Sequence, residues 1–244
     1  MLFLFFPALS RAQEVGDVEI EGLTNREWNL SFFINTSGGG IGFQHGRTPD
    51  YYRKHFYEID FLFNRSAKAV RGKNTNFNEA TTYSYGKLCD LYFLRAGYGY
   101  QKVISQKPYW GGVQVKWGFS GGFALGMAMP VFLYIAVPDN TGFYNIELQQ
   151  YNPDNQLHTI DYIIGRGPYF KGIGKMKFHP GFYGKLGFQF DFAKNPKSIQ
   201  ALEVGLTVDM VFPFVKQMAK NNAKPIYICG YIAYCFGKKK AHYE

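Results

Sequence analysis

The stretch "GFYGKLGFQFDF", Gly181 to Phe192, decides the fold once its residues are separated by parity. Phe182, Gly184, Leu186, Phe188, Phe190 and Phe192 fall on one parity. Tyr183, Lys185, Gly187, Gln189 and Asp191 fall on the other. Side chains alternate faces along a strand, so the stretch reads as one β-strand with an apolar and a polar side. Alone it leaves open which side points inward. A soluble protein would bury the phenylalanines. A membrane barrel would turn them to lipid and keep Lys185 and Asp191 inside.

Seven companions share the pattern. They are Trp28 to Asn35, Gly38 to Gly46, Tyr52 to Arg65, Leu88 to Gln101, Gly112 to Gly122, Leu202 to Phe212 and Ile226 to Phe236. In the last but one, Leu202, Val204, Leu206, Val208 and Met210 oppose Glu203, Gly205, Thr207 and Asp209. The fifth keeps an apolar character as far as Val137 and is expected to run on. Connections alternate in length. Short ones carry turn residues, as in Thr48-Pro49-Asp50 and "AKNPKS". Long ones cover 66–87, 138–180 and 213–225. The hairpin between the first two strands is the exception, being short on the long-loop side. Tight turns at one end and long loops at the other are the pattern of an outer-membrane barrel.

Composition agrees. The 244-residue chain holds 24 Phe, 19 Tyr and 28 Gly, and 18% of it is charged. That aromatic content excludes disorder. The apolar run Ala128 to Val137 is interrupted by Pro130 and falls short of the roughly 20 residues of a membrane helix. At the N-terminus, the apolar run Leu2 to Leu9 precedes Ser10-Arg11-Ala12, so residues 1–12 read as a signal peptide. The barrel is then expected over 13–236, with a basic tail over 237–244. Cys229 and Cys235 share parity but lie about 20 Å apart at strand rise, too far to bridge. They and Cys89 read as small apolar fillers.

The sequence expectation is an eight-stranded antiparallel up-and-down transmembrane β-barrel. Ten strands, or a secreted lipocalin-like barrel, are the alternatives. An eight-stranded barrel is just wide enough for side chains to fill. Glu58, Asp60, Arg95, Lys116, Lys185, Asp191, Glu203 and Asp209 are expected to pair inside it as a plug. The net charge is +9, and much of the excess falls on the long loops. Arg71, Lys73, Arg166, Lys171, Lys175, Lys177, Lys216, Lys220 and Lys224 are candidate contacts to lipopolysaccharide phosphates or an acidic partner.

The signal ending in "RAQE", "GGGIGFQHGR", "GGVQVKWGFSGGFALGMAMPVFLYI", "HPGFYGKLGFQFDF", "IQALEVGLTVDMVFP" and the closing "YCFGKKK" resemble the small outer-membrane β-barrel proteins common in Bacteroidota. The resemblance spans nearly the whole mature chain and is one of style and order. It implies an outer-membrane location and the barrel fold, and some barrels of this kind are subunits of secretion or barrel-assembly complexes. The expectation is a scaffold or interaction subunit of the cell envelope, with outer-membrane lipid, lipopolysaccharide and other envelope proteins as partners.

Enzymatic signatures are sparse. His45, His55, His158, His179 and His242 show no metal-ligand spacing, and none has Ser two residues on. "GRGPYFKGIGKMK" lacks the Gly-Lys-Ser/Thr ending of a phosphate loop. The expectation is a non-enzymatic protein with no cofactor and no nucleic-acid partner. A narrow porin or channel, a lipid A-modifying enzyme and a secreted ligand-binding barrel are the alternatives.

Overall fold

The computed structural model describes residues 25–50, 52–66, 69, 71–77, 80–106, 112–139, 143–195 and 197–240. The expected signal peptide and residues 241–244 lie outside them. The strands are β1 (Asn25–Asn35), β2 (Gly38–Asp50), β3 (Arg53–Asn64), β4 (Arg71–Gly72), β5 (Tyr83–Ser84), β6 (Cys89–Ser105) and β7 (Gln114–Pro130). There follow β8 (Phe132–Pro138), β9 (Tyr144–Gln150), β10 (Ile163–Arg166), a 3-10 turn (Tyr169–Lys175), β11 (Lys177–Asp191), β12 (Ser198–Val215) and β13 (Lys224–Lys240). Among the described residues no helix is long and apolar enough to cross a membrane.

Eight strands close into a barrel in the order β1-β2-β3-β6-β7-β11-β12-β13, and β13 returns to β1. Each neighbouring pair is antiparallel, and closure runs from Arg26 opposite Lys240 to Asn35 opposite Tyr231. Closure satisfies every strand edge, which is the one way a sheet sits in hydrocarbon. The ten-strand alternative is excluded. The two faces sort as parity demands. On β11, Tyr183, Lys185, Gln189 and Asp191 are buried, while Phe182, Leu186, Phe188 and Phe190 are exposed.

Several boundaries differ from the expected ones, three of them with consequences for the ends of the barrel. β13 continues through Gly237 to Lys240, so half of the expected basic tail is strand. Its partner requires this: Glu27 opposes Lys239 and Trp28 opposes Lys238. β12 runs to Val215 and β13 starts at Lys224, which shortens the third long loop to 216–223. The extension is held from the side, since His179 Nδ1 donates to the Pro213 carbonyl at 2.7 Å. The run after Gly122 divides instead of projecting as one strand. β7 ends at Pro130 and β8 turns away into a separate sheet of order β10-β8-β9.

That sheet caps the long-loop end. Its core is Tyr83, Val131, Leu133, Ile135, Tyr151 and Ile163. The loop after β3 is stitched to it: Asn74 Nδ2 donates to the carbonyls of Ile160 at 2.8 Å and Ile163 at 3.0 Å. The long central loop therefore carries structure of its own, as a loop of that length rarely lacks it.

Candidate functional site

Two places concentrate chemistry: the lumen, and the rim where the barrel meets the cap. Inward parity on the eight strands fills the lumen in layers. Nearest the short-turn end, Lys54 pairs with Glu27 at 3.1 Å, and Asp191 lies between Lys239 at 3.7 Å and Lys116 at 3.9 Å. The middle layer centres on Lys185, 3.2 Å from Glu203 and 3.7 Å from Glu58. Glu58 also accepts from Ser120 at 2.5 Å, Tyr183 at 2.8 Å and Gln44 at 3.2 Å. Tyr231 donates to Glu203 at 2.5 Å. Above it, Arg95 grips Asp209 with two hydrogen bonds, the Nε one at 2.7 Å, and lies over the Tyr183 ring.

The long-loop third of the lumen is apolar. Phe33, Leu62, Leu91, Phe93, Val211 and Tyr227 pack there, with Phe93 edge-on to Tyr227 at 5.5 Å. The sequence reading predicts a polar plug alone, so this layer is an addition to it. The inward parity of Leu91, Phe93 and Val211 carries the signal, and it gives the barrel a greasy stopper over the ionic layers. Space is tight throughout. A Cβ at Gly99 would lie 2.3 Å from the Phe56 ring, so only a hydrogen fits beneath that ring. The cavity beside Glu58, Lys185 and Tyr231 holds about 10 Å³, room for roughly one water.

All eight residues singled out for the lumen are buried inside it. Seven have partners as described. Asp60 is the exception: neither of its carboxylate oxygens has a hydrogen-bond partner among the described residues. Glu27, Lys54 and Lys239 belong to the same network and escape the sequence reading. Glu27 and Lys239 lie just beyond the expected strand ends, and Lys54 shares the parity of Glu58 and Asp60.

The loop cations scatter around the long-loop end. Lys216 and Lys220 are exposed between β12 and β13, and Lys224 opens β13. Lys73 is exposed after β4, Lys171 and Lys175 sit in the 3-10 turn, and Lys177 opens β11. Two are brought together: Arg71 and Arg166 line a cavity at the rim, with Arg65 and Lys87. Asp90 accepts from both Lys87 and Arg166, and the Arg166 guanidinium lies 3.9 Å from the Tyr169 ring centre.

Catalytic geometry does not assemble around His45 and Ser31. His45 is exposed on the outer face, whereas Ser31 points inward and donates to the Gly42 carbonyl at 3.3 Å. A nucleophile and base must be within hydrogen-bond reach. Among the described residues, no group of three or more His, Cys, Asp and Glu side chains is placed to hold a metal ion. Cys89, Cys229 and Cys235 are buried free thiols.

The cap carries a titrating group of its own. His158 is buried, its Nδ1 accepts from the Asn152 amide at 2.8 Å, and its Nε2 lies 3.0 Å from Gln149 Oε1. That arrangement suits the neutral ring with its proton on Nε2, donated to Gln149. Burial holds the pKa below its ordinary 6.5. A depressed folded-state pKa for histidine means the folded cap disfavours protonation. Its stabilisation is therefore present above the unfolded value and lost as pH falls below it. Limited proteolysis across 152–162 is expected to accelerate between about pH 7.5 and about pH 5.5, with the barrel intact. A cleavage rate flat across that range would remove His158 from this role.

No protein-family model matches the chain, and neither does any curated protein. Among solved structures, it is similar to neisserial surface protein A, at 10% identity and a TM-score of 0.38, over 88% of this chain and 95% of that one. It is also similar to Ail, the attachment invasion locus protein of Yersinia pestis, at 7% identity and a TM-score of 0.36 over the same shares. The structure of Ail with the heparin analogue sucrose octasulfate matches at 8% identity and a TM-score of 0.37, again over 88% and 95%. At such values the fold rests on the chain's own strand pairing.

Proposed function

We propose that the chain is a non-enzymatic outer-membrane barrel that conducts nothing and serves the cell envelope through its surfaces, as a scaffold or subunit of a larger complex. The closed lumen is the observation that carries this: three ionic layers lie beneath an apolar stopper. The membrane part rests on the outer wall. Phe32, Ile41, Ile59, Leu94, Phe119, Leu186, Leu206 and Ile232 are all exposed, far more apolar surface than a soluble monomer leaves in water. An even strand number with turns at one end and long loops at the other supports the outer membrane.

With the lumen closed, function falls to the cap and rim. β9 is one of the two edge strands of the cap sheet and pairs only with β8 among the described strands. Phe143, just before it, is 77% exposed, and Ile146 within it is 62% exposed. An open edge flanked by apolar side chains is a surface on which another chain can add a strand. Extraction of the native membrane in mild detergent, followed by pulldown, is expected to recover a second envelope protein. The same sample in a planar bilayer is expected to give no steady current. A chain recovered alone would end the complex-subunit reading, and large sustained currents would end the closed-barrel reading.

A further inference from the structure

A second cavity opens outside the barrel wall. It lies at the long-loop end, where β3 and β6 meet the cap, and its volume is about 360 Å³. Pockets of that size take small ligands or headgroups. Two features set its chemistry. Its charged lining among the described residues is Arg65, Arg71, Lys87 and Arg166 against the lone carboxylate of Asp90. Asp90 is 2% exposed and already shared by Lys87 and Arg166, so it fixes those two cations in place without neutralising the group. A guanidinium has five N–H donors in a rigid fork; among the described residues, Asp90 accepts from Arg166 and the Ala69 carbonyl from Arg65, and the remaining fork geometry suits an oxyanion.

The second feature is the floor. Phe63 and Tyr92 line the cavity on outward parity, with their rings 5.3 Å apart. Directly below, Phe61 stacks on Tyr92 at 6.0 Å, and Phe61, Ile59 and Leu94 continue the exposed apolar wall. Cations therefore sit where the greasy wall ends. A soluble anion would use the cations only. An amphiphile with a phosphate above and hydrocarbon below uses both.

We infer that this rim pocket binds the phosphate monoester headgroup of a lipid in the surrounding membrane, with its acyl chains along Phe61, Ile59 and Leu94. The inference rests on the membrane reading above and adds a ligand class and a site to it.

The test uses the full chain in dodecylmaltoside micelles. The probes are diphosphoryl lipid A, the same lipid with its phosphates removed, and inorganic phosphate. The Arg65→Gln/Arg71→Glu variant is compared with Lys194→Glu, which alters an exposed cation in the short turn after β11, at the opposite end of the barrel from the pocket. Barrel integrity is checked by the gel-mobility shift on heating. The phosphorylated lipid is expected to bind about tenfold or more tighter than the stripped one, and the double variant to lose a similar factor. Lys194→Glu is expected to stay within about twofold, as suits a screened surface charge. Equal losses in both variants, or none in the double variant, would overturn the pocket. So would inorganic phosphate displacing the lipid at matching concentration, which would make it a site for soluble anions. Flotation with phosphatidylcholine vesicles separates the two readings. A chain left in the aqueous fraction ends the membrane reading, while one that floats and ignores the phosphates ends this one.

Discussion

Leu206→Arg is expected to cost about 2–4 kcal/mol of folding free energy in lipid vesicles and to slow insertion severely. Leu206 is 57% exposed at the centre of the outward run Leu202, Val204, Leu206, Val208, Met210 on β12. Its barrel neighbour on one side is Leu186. In lipid an arginine there must reach the interface or drag water inward. Phe188 invites the same experiment from sequence, but it lies opposite Trp117 and three residues from the end of β11. Arginine at Phe188 is expected to cost less, because it lies nearer the strand end and its guanidinium reaches the interface more readily. Denaturant unfolding of both variants in vesicles measures the difference. Leu206→Arg unfolding like the parent would mean that the outer wall does not face hydrocarbon.

The strand core of this protein is legible in the sequence because parity is a local signal. Tyr183, Lys185, Gln189 and Asp191 alternate with their apolar neighbours whatever surrounds them, and loop lengths then fix which side is wet. Ends are less legible. Lys238 and Lys239 read as a solvated tail until β1 is seen to need partners for Trp28 and Glu27. The cap is not legible at all. β8 and β9 pair locally, yet Asn74 and Ile163 meet only through a fold that brings distant segments together. The rim pocket has the same origin. Arg65, Arg71 and Lys87 border or lie in the loop 66–87, Arg166 comes from the long central loop, and no spacing links the two.

Asp209→Ala is expected to be the most damaging single change inside the barrel, costing about 3–5 kcal/mol. Asp209 takes both hydrogen bonds from Arg95, and both side chains are 1% exposed. Removing the carboxylate leaves the guanidinium, between the Tyr183 ring and the apolar stopper of Phe93 and Val211, with only Asp60 across the β3–β6 register and no hydrogen bond to it. The other acids nearby are engaged with Lys185, apart from Asp60, which has no hydrogen-bond partner among the described residues. Buried ion pairs are costly to break and cheap to replace as a unit. The double variant Arg95→Met/Asp209→Leu is therefore expected to recover most of the loss, because two apolar side chains extend the stopper downward. A double-mutant cycle read by denaturant unfolding decides it. If Asp209→Ala unfolds at the parent's midpoint, the pair does not hold the lumen. If the double variant is as unstable as the single one, the damage lies in lost packing rather than in an unpaired charge. Recovery would also separate stability from closure. A barrel in which two apolar side chains replace the Arg95–Asp209 pair is expected to remain non-conducting, since the apolar layer above needs no charge to exclude ions.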